Sequence, residues 1–515
     1  MRHLVLILGD QLDHRSRALQ DFDPAQDAVW MTEVQEEAAY VWSHKLRLAY
    51  FFTAMRHFRD ELLARRFPVH YHALSPDSSA DRGKTFSEVL RQDVRDLQPQ
   101  KLIMVLPGDY LVLMALQQTA KALEVPLVIH PDNHFFCSRD EFQHYAADKN
   151  SLLLEHFYRY MRRSRHILVT PEDKPVGGKW NYDHLNRQSF GRHAPPEISP
   201  PLPFPPDGLT REVMALVRQR FQHYPGSLEH FNLPVNASQA YLFLQDFIEH
   251  RLANFGRYED AMWTDQPFLY HSRLSAPLNL KLLNPRQCLE KALGAYGEQQ
   301  APLSSVEGFV RQILGWREYI RGIYWRYMPD YQDHNYFDHQ SDLPCFFWDG
   351  NTEMNCFRQT MQFILAYGYS HHIHRLMVVG LFALLFGVHP KKFHNWHLAM
   401  YVDAIDWVSL PNTLGMSQYG DGGIVGTKPY CASGNYIRGM SNFCEACTFK
   451  PEKSAGSDAC PFTTLYWDFL DRHNDKLKRN FRLAYQLRAL ENKRSQSGQM
   501  AAIRQQADHL KQSFL

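Results

Sequence analysis

Apolar and polar positions along the first quarter of the chain predict strands separated by helices. Short apolar runs fall at Leu4–Leu8, Val29–Val34, Val69–Leu74, Leu102–Leu106 and Leu127–His130, with helix-patterned segments such as Lys45–Arg65 and Thr85–Leu97 between them. Buried runs of this length joined by helical crossovers predict a parallel sheet in a Rossmann-like α/β domain. Beyond Phe135 the pattern turns irregular and ends in a proline-dense segment from Pro195 to Pro206, which suits neither helix nor central strand. From Thr210 onward helical spacing dominates, for example at Ser238–Phe255, Ser305–Tyr327, Cys356–Leu365 and Leu376–Phe386. The expected organisation is an α/β domain over 1–135, an interdomain connection over 136–209 and an all-α domain over 210–515. The tail from about Glu491 is charged, Gln-rich and poor in apolar residues, and reads as a frayed surface helix.

Composition narrows this picture. A chain of 515 residues exceeds one ordinary hydrophobic core, and 44% hydrophobic with 22% charged residues excludes a disordered chain. A formal net charge of +1 supplies no global field for nucleic acid, so such a partner has to meet a local patch. Arg159, Arg162, Arg163 and Arg165 are candidates for a phosphate-facing cluster. The apolar run at the N-terminus is too short for a signal peptide, and Leu376–Val388 is too short to cross a bilayer. A soluble, cytoplasmic protein is expected.

Candidate chemistry lies in several constellations. Cys444 and Cys447 form a CxxC, and Cys460 follows with Pro461 behind it, so three thiols at this spacing point to a metal. The fourth ligand has to come from upstream, with Cys345 and Cys356 as candidates; zinc and an iron-sulfur cluster both remain open. His371, His372, His374 and Arg375 immediately precede an apolar helix, where charge-capable groups usually line a site. Asp403 and Asp406 sit about one helical turn apart, and His271-Ser272-Arg273-Leu274-Ser275 offers hydroxyls of the kind that hold a pyrophosphate. Gly9-Asp10 follows directly on the first strand, where open α/β sheets gather ligands.

These segments resemble the photolyase/cryptochrome family, and within it the iron-sulfur bacterial branch that repairs pyrimidine (6-4) photoproducts. The resemblance is carried by LVLILGDQL at the start, FFTAMRHF over 51–58, GFVRQILGWREY over 308–319, HHIHRLM over 371–377, LPNTLGMSQYGDGGIVG over 410–426, KPYCASGNY over 428–436 and CPFTTLYWDFL over 460–470. It implies FAD held by His271, Ser272, Leu274, Ser275, Gln312, Arg375, Asp403 and Asp406. It also implies a 4Fe-4S cluster on Cys356, Cys444, Cys447 and Cys460, and a 6,7-dimethyl-8-ribityllumazine antenna contacted by Asp10 and Glu37. Trp348 and Trp396 match an electron chain to the flavin, and His372 with His371 as neighbour matches the proton donor of lesion repair. Where relatives often carry a tyrosine beside the second tryptophan this chain has His397, and Ser409 stands where an acidic or amide residue is expected near the flavin. The implied partner is UV-damaged DNA, met by a monomer that repairs it by light-driven electron transfer. The alternatives are a cryptochrome-like photoreceptor with the same cofactors, or a zinc-containing nucleic-acid-binding protein without photochemistry.

Overall fold

The computed structural model describes residues 1–191 and 193–514. Strands β1 (His3–Leu6), β2 (Ala28–Thr32), β3 (Val69–His72), β4 (Lys101–Val105) and β5 (Leu127–His130) form one parallel sheet in the order β3-β2-β1-β4-β5. All five lie in or against the apolar runs of the sequence. Side chains alternate between the two faces, as the strand period of two requires. Leu4, Leu6, Trp30 and Met104 pack with Phe86, Val89, Leu90 and Val94 in a core of their own. Val5, Ile7, Val29 and Met31 face the other way, into a core continuous with the helical domain. The sheet is therefore a wall of the helical body on one side.

Strand order reverses between β1 and β4, which is where open sheets bind ligands. Gly9-Asp10 and Gly108-Asp109 follow these two strands. The helical domain closes over that point. A Cβ on Gly108 would lie 2.5 Å from Asp10 Oδ2 and 2.9 Å from both Ile405 and Trp407, so only glycine permits this approach.

The helix Lys45–Ala64 fastens the two domains. His44 caps it, its Nδ1 accepting from the Leu46 N–H at 3.0 Å, while its Nε2 meets the Leu365 carbonyl at 3.1 Å. The His44 N–H donates to Ala399, and Arg47 donates to the Ala404 carbonyl at 3.2 Å.

The connection over 136–209 is not an open linker throughout. It contains the helices Arg139–Ala146 and Leu154–Ser164, and Phe157, Tyr158 and Met161 are fully buried. Phe142 and Phe157 both pack on Tyr319 of the helical domain, so this half belongs to that body. Three of the four clustered arginines are engaged within this segment, while Arg163 is exposed with its guanidinium 4.7 Å over the Trp180 ring. Arg162 is 1% exposed and donates to the carbonyls of Ile167, Leu168 and Trp180; Arg165 pairs with Glu141, and Arg159 with Glu155. A phosphate-facing role for Arg162 is thereby excluded.

The C-terminal tail also departs from expectation. Helix Gln499–Phe514 buries Met500, Ile503 and Ala507, a spacing that forms one stripe, and Phe514 meets Phe346 at 5.3 Å. Three apolar residues at helical spacing suffice to dock it despite its polar average. Three π-helical turns interrupt the helical domain at Arg311–Trp316, Arg375–Gly380 and Pro411–Ser417. Such turns commonly mark functional sites, and two of them carry predicted flavin contacts. Among the described residues no helix is long and apolar enough to cross a membrane.

Candidate functional site

The centre of the helical domain is a guanidinium–carboxylate clamp. Arg375 Nη1 and Nη2 donate to the two Asp403 oxygens at 3.0 and 3.1 Å, and Arg375 Nε donates to the Ser370 carbonyl. The guanidinium lies 4.0 Å over the Tyr401 ring. Burial pushes the Asp403 carboxyl up, but Arg375 and the Ser275 hydroxyl outweigh it and hold it below the usual carboxylate range. Asn279 fixes the Asp403 carbonyl at 2.7 Å. Ser272, Ser275, Gln312 and Arg375 keep accessible surface while Leu274, Arg273, Arg311 and Ile313 beside them are buried. This is the pattern of groups facing an internal cleft. His271 Nε2, Arg273 Nε, His397 Nδ1 and Ser409 Oγ are buried without a partner in the protein. A polar ligand in the cleft answers such atoms.

One helical turn before Arg375 stands a histidine cluster. His371 stacks on His271 at 4.1 Å with 9° between the planes, and His374 lies 4.0 Å from His371. Burial, and then the neighbouring imidazoles, push His271 and His371 far below the ordinary imidazole range, so both rings are neutral. His372 differs: half its side chain is exposed, and its Nε2 meets Asp260 Oδ1 at 3.1 Å. Burial raises the Asp260 carboxyl, but His372, Arg187 and Arg311 more than compensate and leave it ionised. Asp183 and Asp260 both face Arg187, at 3.4 and 3.9 Å. The sequence carried no sign of Arg187 or Glu259, which pair at 3.1 Å beside this rim.

A second cleft opens at the switch point of the sheet. Asp10 and Glu37 line it, as does Arg47; each retains accessible surface although protein surrounds it on nearly every side. Burial raises Asp10, and pushes Glu37 up to about 7 against the pull of Arg47. Asp406, expected at the flavin, belongs to this side. Its Oδ1 meets His394 Nε2 at 2.9 Å, its Oδ2 accepts from the Tyr324 hydroxyl at 2.5 Å, and its charge helps raise Asp109 after β4. Asp403 lies in the turn that follows helix Pro390–Met400, and Asp406 opens the next helix, with the extended Ile405 between them. They are therefore not one helical turn apart, and the two carboxylates reach different clefts. Arg47 feels both Glu37 and Asp403, so it stands between them.

Cys356, Cys444, Cys447 and Cys460 converge on one pocket lined otherwise by apolar groups such as Met354, Ile437, Phe443 and Phe462. Cys345 is exposed and takes no part. Burial, followed by the other thiols, raises Cys356 strongly, and Cys444 is pushed up to about 12. Thiolates become favourable here only when a cationic metal centre holds them. Trp396 is 1% exposed; its Nε1 donates to the Phe347 carbonyl at 2.8 Å, one residue from Trp348, and its ring meets Tyr401 edge-on at 5.9 Å.

The same arrangement of domains occurs in solved structures. A bacterial class III photolyase from Agrobacterium tumefaciens aligns with a TM-score of 0.56 at 13% identity, covering 93% of this chain and 86% of that one. A Synechocystis cryptochrome aligns at 0.52 and 13% identity, covering 85% and 88%. The fold is thus that of photolyases and cryptochromes. A family model for deoxyribodipyrimidine photo-lyase-related protein matches residues 5–233. Over 485 residues, 94% of both chains, the sequence is 45% identical to a (6-4) photolyase of Agrobacterium fabrum. The chain belongs to the bacterial photolyase/cryptochrome family, in the branch of that (6-4) photolyase. Membership implies FAD as resident cofactor, and the unpartnered polar atoms around the Arg375–Asp403 clamp fit it.

Proposed function

We propose that this protein is a light-driven DNA lyase that repairs pyrimidine (6-4) photoproducts in UV-damaged DNA. The carrying observation is the half-exposed His372, paired with Asp260, three residues from the arginine that clamps Asp403. Reduced FAD supplies the photochemistry, an electron lent to the lesion and recovered after bond rearrangement. The protein supplies binding, orientation and a proton. Ser272, Ser275, Gln312 and the Arg375–Asp403 pair hold the cofactor, with Leu274 and His271 closing the wall.

An ionised Asp260 accepts from Nε2–H of His372 and fixes the orientation of the ring at the rim. His372 is the imidazole placed to exchange a proton with the lesion. His371, neutral and stacked on His271, adds no positive charge to the floor of the cavity. A damaged dinucleotide leaves the duplex at lower cost than an intact one, which suits a pocket at an accessible rim.

Three further assignments accompany this reading. Four converging thiols in an apolar pocket support a 4Fe-4S cluster on Cys356, Cys444, Cys447 and Cys460. Carboxyls biased toward their protonated form at Asp10 and Glu37 support a neutral heteroaromatic antenna, 6,7-dimethyl-8-ribityllumazine, to which they donate. Trp348 and Trp396 act as the electron relay to the flavin. The protein works in the cytoplasm.

The test is illumination of a (6-4)-containing oligonucleotide with the reduced holoprotein. Wild type restores the pyrimidines, and His372→Ala loses repair while retaining FAD. A holoprotein with full flavin and no turnover favours the photoreceptor alternative and overturns this function.

A further inference from the structure

One tryptophan outside the predicted relay touches it. Trp42 lies in the loop between helix Gln35–Ala39 and helix Lys45–Ala64, in the α/β domain. Its ring centroid is 5.2 Å from that of Trp348, with 51° between the planes, and the residue is 46% exposed. The loop is held on both sides of the indole. Val41 packs into the helical core, Ser43 is buried, and the His44 N–H donates to Ala399 at 2.8 Å. The contact therefore follows from the domain docking and not from a free side chain.

The three indoles form a series graded in exposure. Trp396 is buried, Trp348 is half-buried and Trp42 reaches water. Positive charge is costly in an apolar interior and cheap in water, so an electron vacancy created at Trp396 moves outward along the series. The competing resting place is Tyr401, 5.9 Å from Trp396. Tyr401 is a poor one: the Arg375 cation lies over its ring, and its hydroxyl meets only the Ser370 hydroxyl at 3.0 Å, which is no base. His397, beside Trp396, is not readily oxidised.

We propose that Trp42 is the solvent-side terminus of the electron relay, supplied by the α/β domain to the flavin of the helical domain. The proposal rests on Trp348 and Trp396 being that relay. A bound oxidised flavin would supply the light-driven oxidant: Trp396 would give up one electron to it, Trp348 would refill Trp396, and Trp42 would refill Trp348. The flavin would thereby gain one electron and Trp42 would lose one. The oxidised indole releases its N–H proton to water, and a thiol in solution returns a hydrogen atom to it, the resulting thiyl radicals pairing as a disulfide. A second photon repeats the sequence for the second electron.

The experiment uses holoprotein with oxidised flavin, illuminated with dithiothreitol and followed by transient absorption. Trp42→Phe shortens the lifetime of the tryptophan radical and slows flavin photoreduction severalfold, and Trp42→Tyr restores part of both. Repair by chemically pre-reduced Trp42→Phe equals wild type. Pulsed electron spin resonance adds a readout on the unmutated protein: the flavin-to-tryptophan radical distance is longer in wild type than in Trp42→Phe. If Trp348→Phe abolishes photoreduction while Trp42→Phe matches wild type in lifetime and distance, Trp42 is not the terminus and the relay stands. If Trp348→Phe and Trp396→Phe also match wild type, the relay itself fails and takes the proposal with it.

Discussion

The two clefts of this molecule are both built around carboxylates, and they treat them in opposite ways. In the helical domain Arg375 grips Asp403 with two hydrogen bonds and keeps it charged. At the switch point of the sheet Glu37 and Asp10 have no such clamp, and burial biases both toward the neutral acid. One cleft is fitted for a ligand that meets a fixed ion pair, the other for a ligand that accepts hydrogen bonds from protonated carboxyls. Arg47, between Glu37 and Asp403, places the two environments on either side of one side chain.

The contrast breaks most severely at the clamp. Arg375→Ala leaves the buried Asp403 charge unpaired, which costs about 3–5 kcal/mol; thermal melting and flavin content both fall. Pairing Arg375→Met with Asp403→Leu removes both charges, so stability returns toward wild type while FAD binding stays lost.

A smaller effect comes from acid at the domain junction. Burial pushes His44 down to about 4, below the ordinary imidazole value of 6.5 that it regains on unfolding. The unfolded chain then binds more protons between those values, so the His44 contribution is whole above pH 6.5 and lost as pH falls toward 4. At pH 5 the loss is about 2 kcal/mol. Melting temperatures at pH 7.5 and 5 measure it, and His44→Ala reduces the difference, because the ring that caps Lys45–Ala64 through Nδ1 is gone.

The smallest change sharpens the second cleft. If Glu37 acts as a donor, antenna affinity declines as pH rises through about 7 and the acid ionises. Glu37→Gln keeps a donor and removes the pH dependence, whereas Glu37→Ala weakens retention by about tenfold, one hydrogen bond's worth. Fluorescence of retained chromophore across pH 6–8 reads all three.

Much of the fold was legible because its signals are local. Five apolar runs became five strands, and the amphipathic stretches became helices, although the stretch at Leu376–Phe386 starts four residues earlier at His372 and that at Ser238–Phe255 breaks at Arg251. The tail misled because its mean polarity hid Met500, Ile503 and Ala507 at helical spacing. Within the arginine run 159–165, Arg162 misled because net charge says nothing of the carbonyls that it satisfies. At the site, the cysteine spacing pointed to a metal, while choosing Cys356 over Cys345 needed the family resemblance; the pocket brings Cys356 together with the other three. Asp403 and Asp406 looked equivalent in sequence, yet the break in helix between them, with Ile405 extended, sends them to different clefts. Arg47 and Trp42 carried no signal at all, because their roles come from long-range docking of the α/β domain on the helical one.

The central claim is that the helical domain encloses FAD at the Arg375–Asp403 clamp. Cofactor extraction from the purified protein, read with its absorption spectrum, tests it most directly. One FAD per chain in wild type, lost in Arg375→Ala, is the predicted result; a folded wild-type protein that carries no FAD contradicts the account.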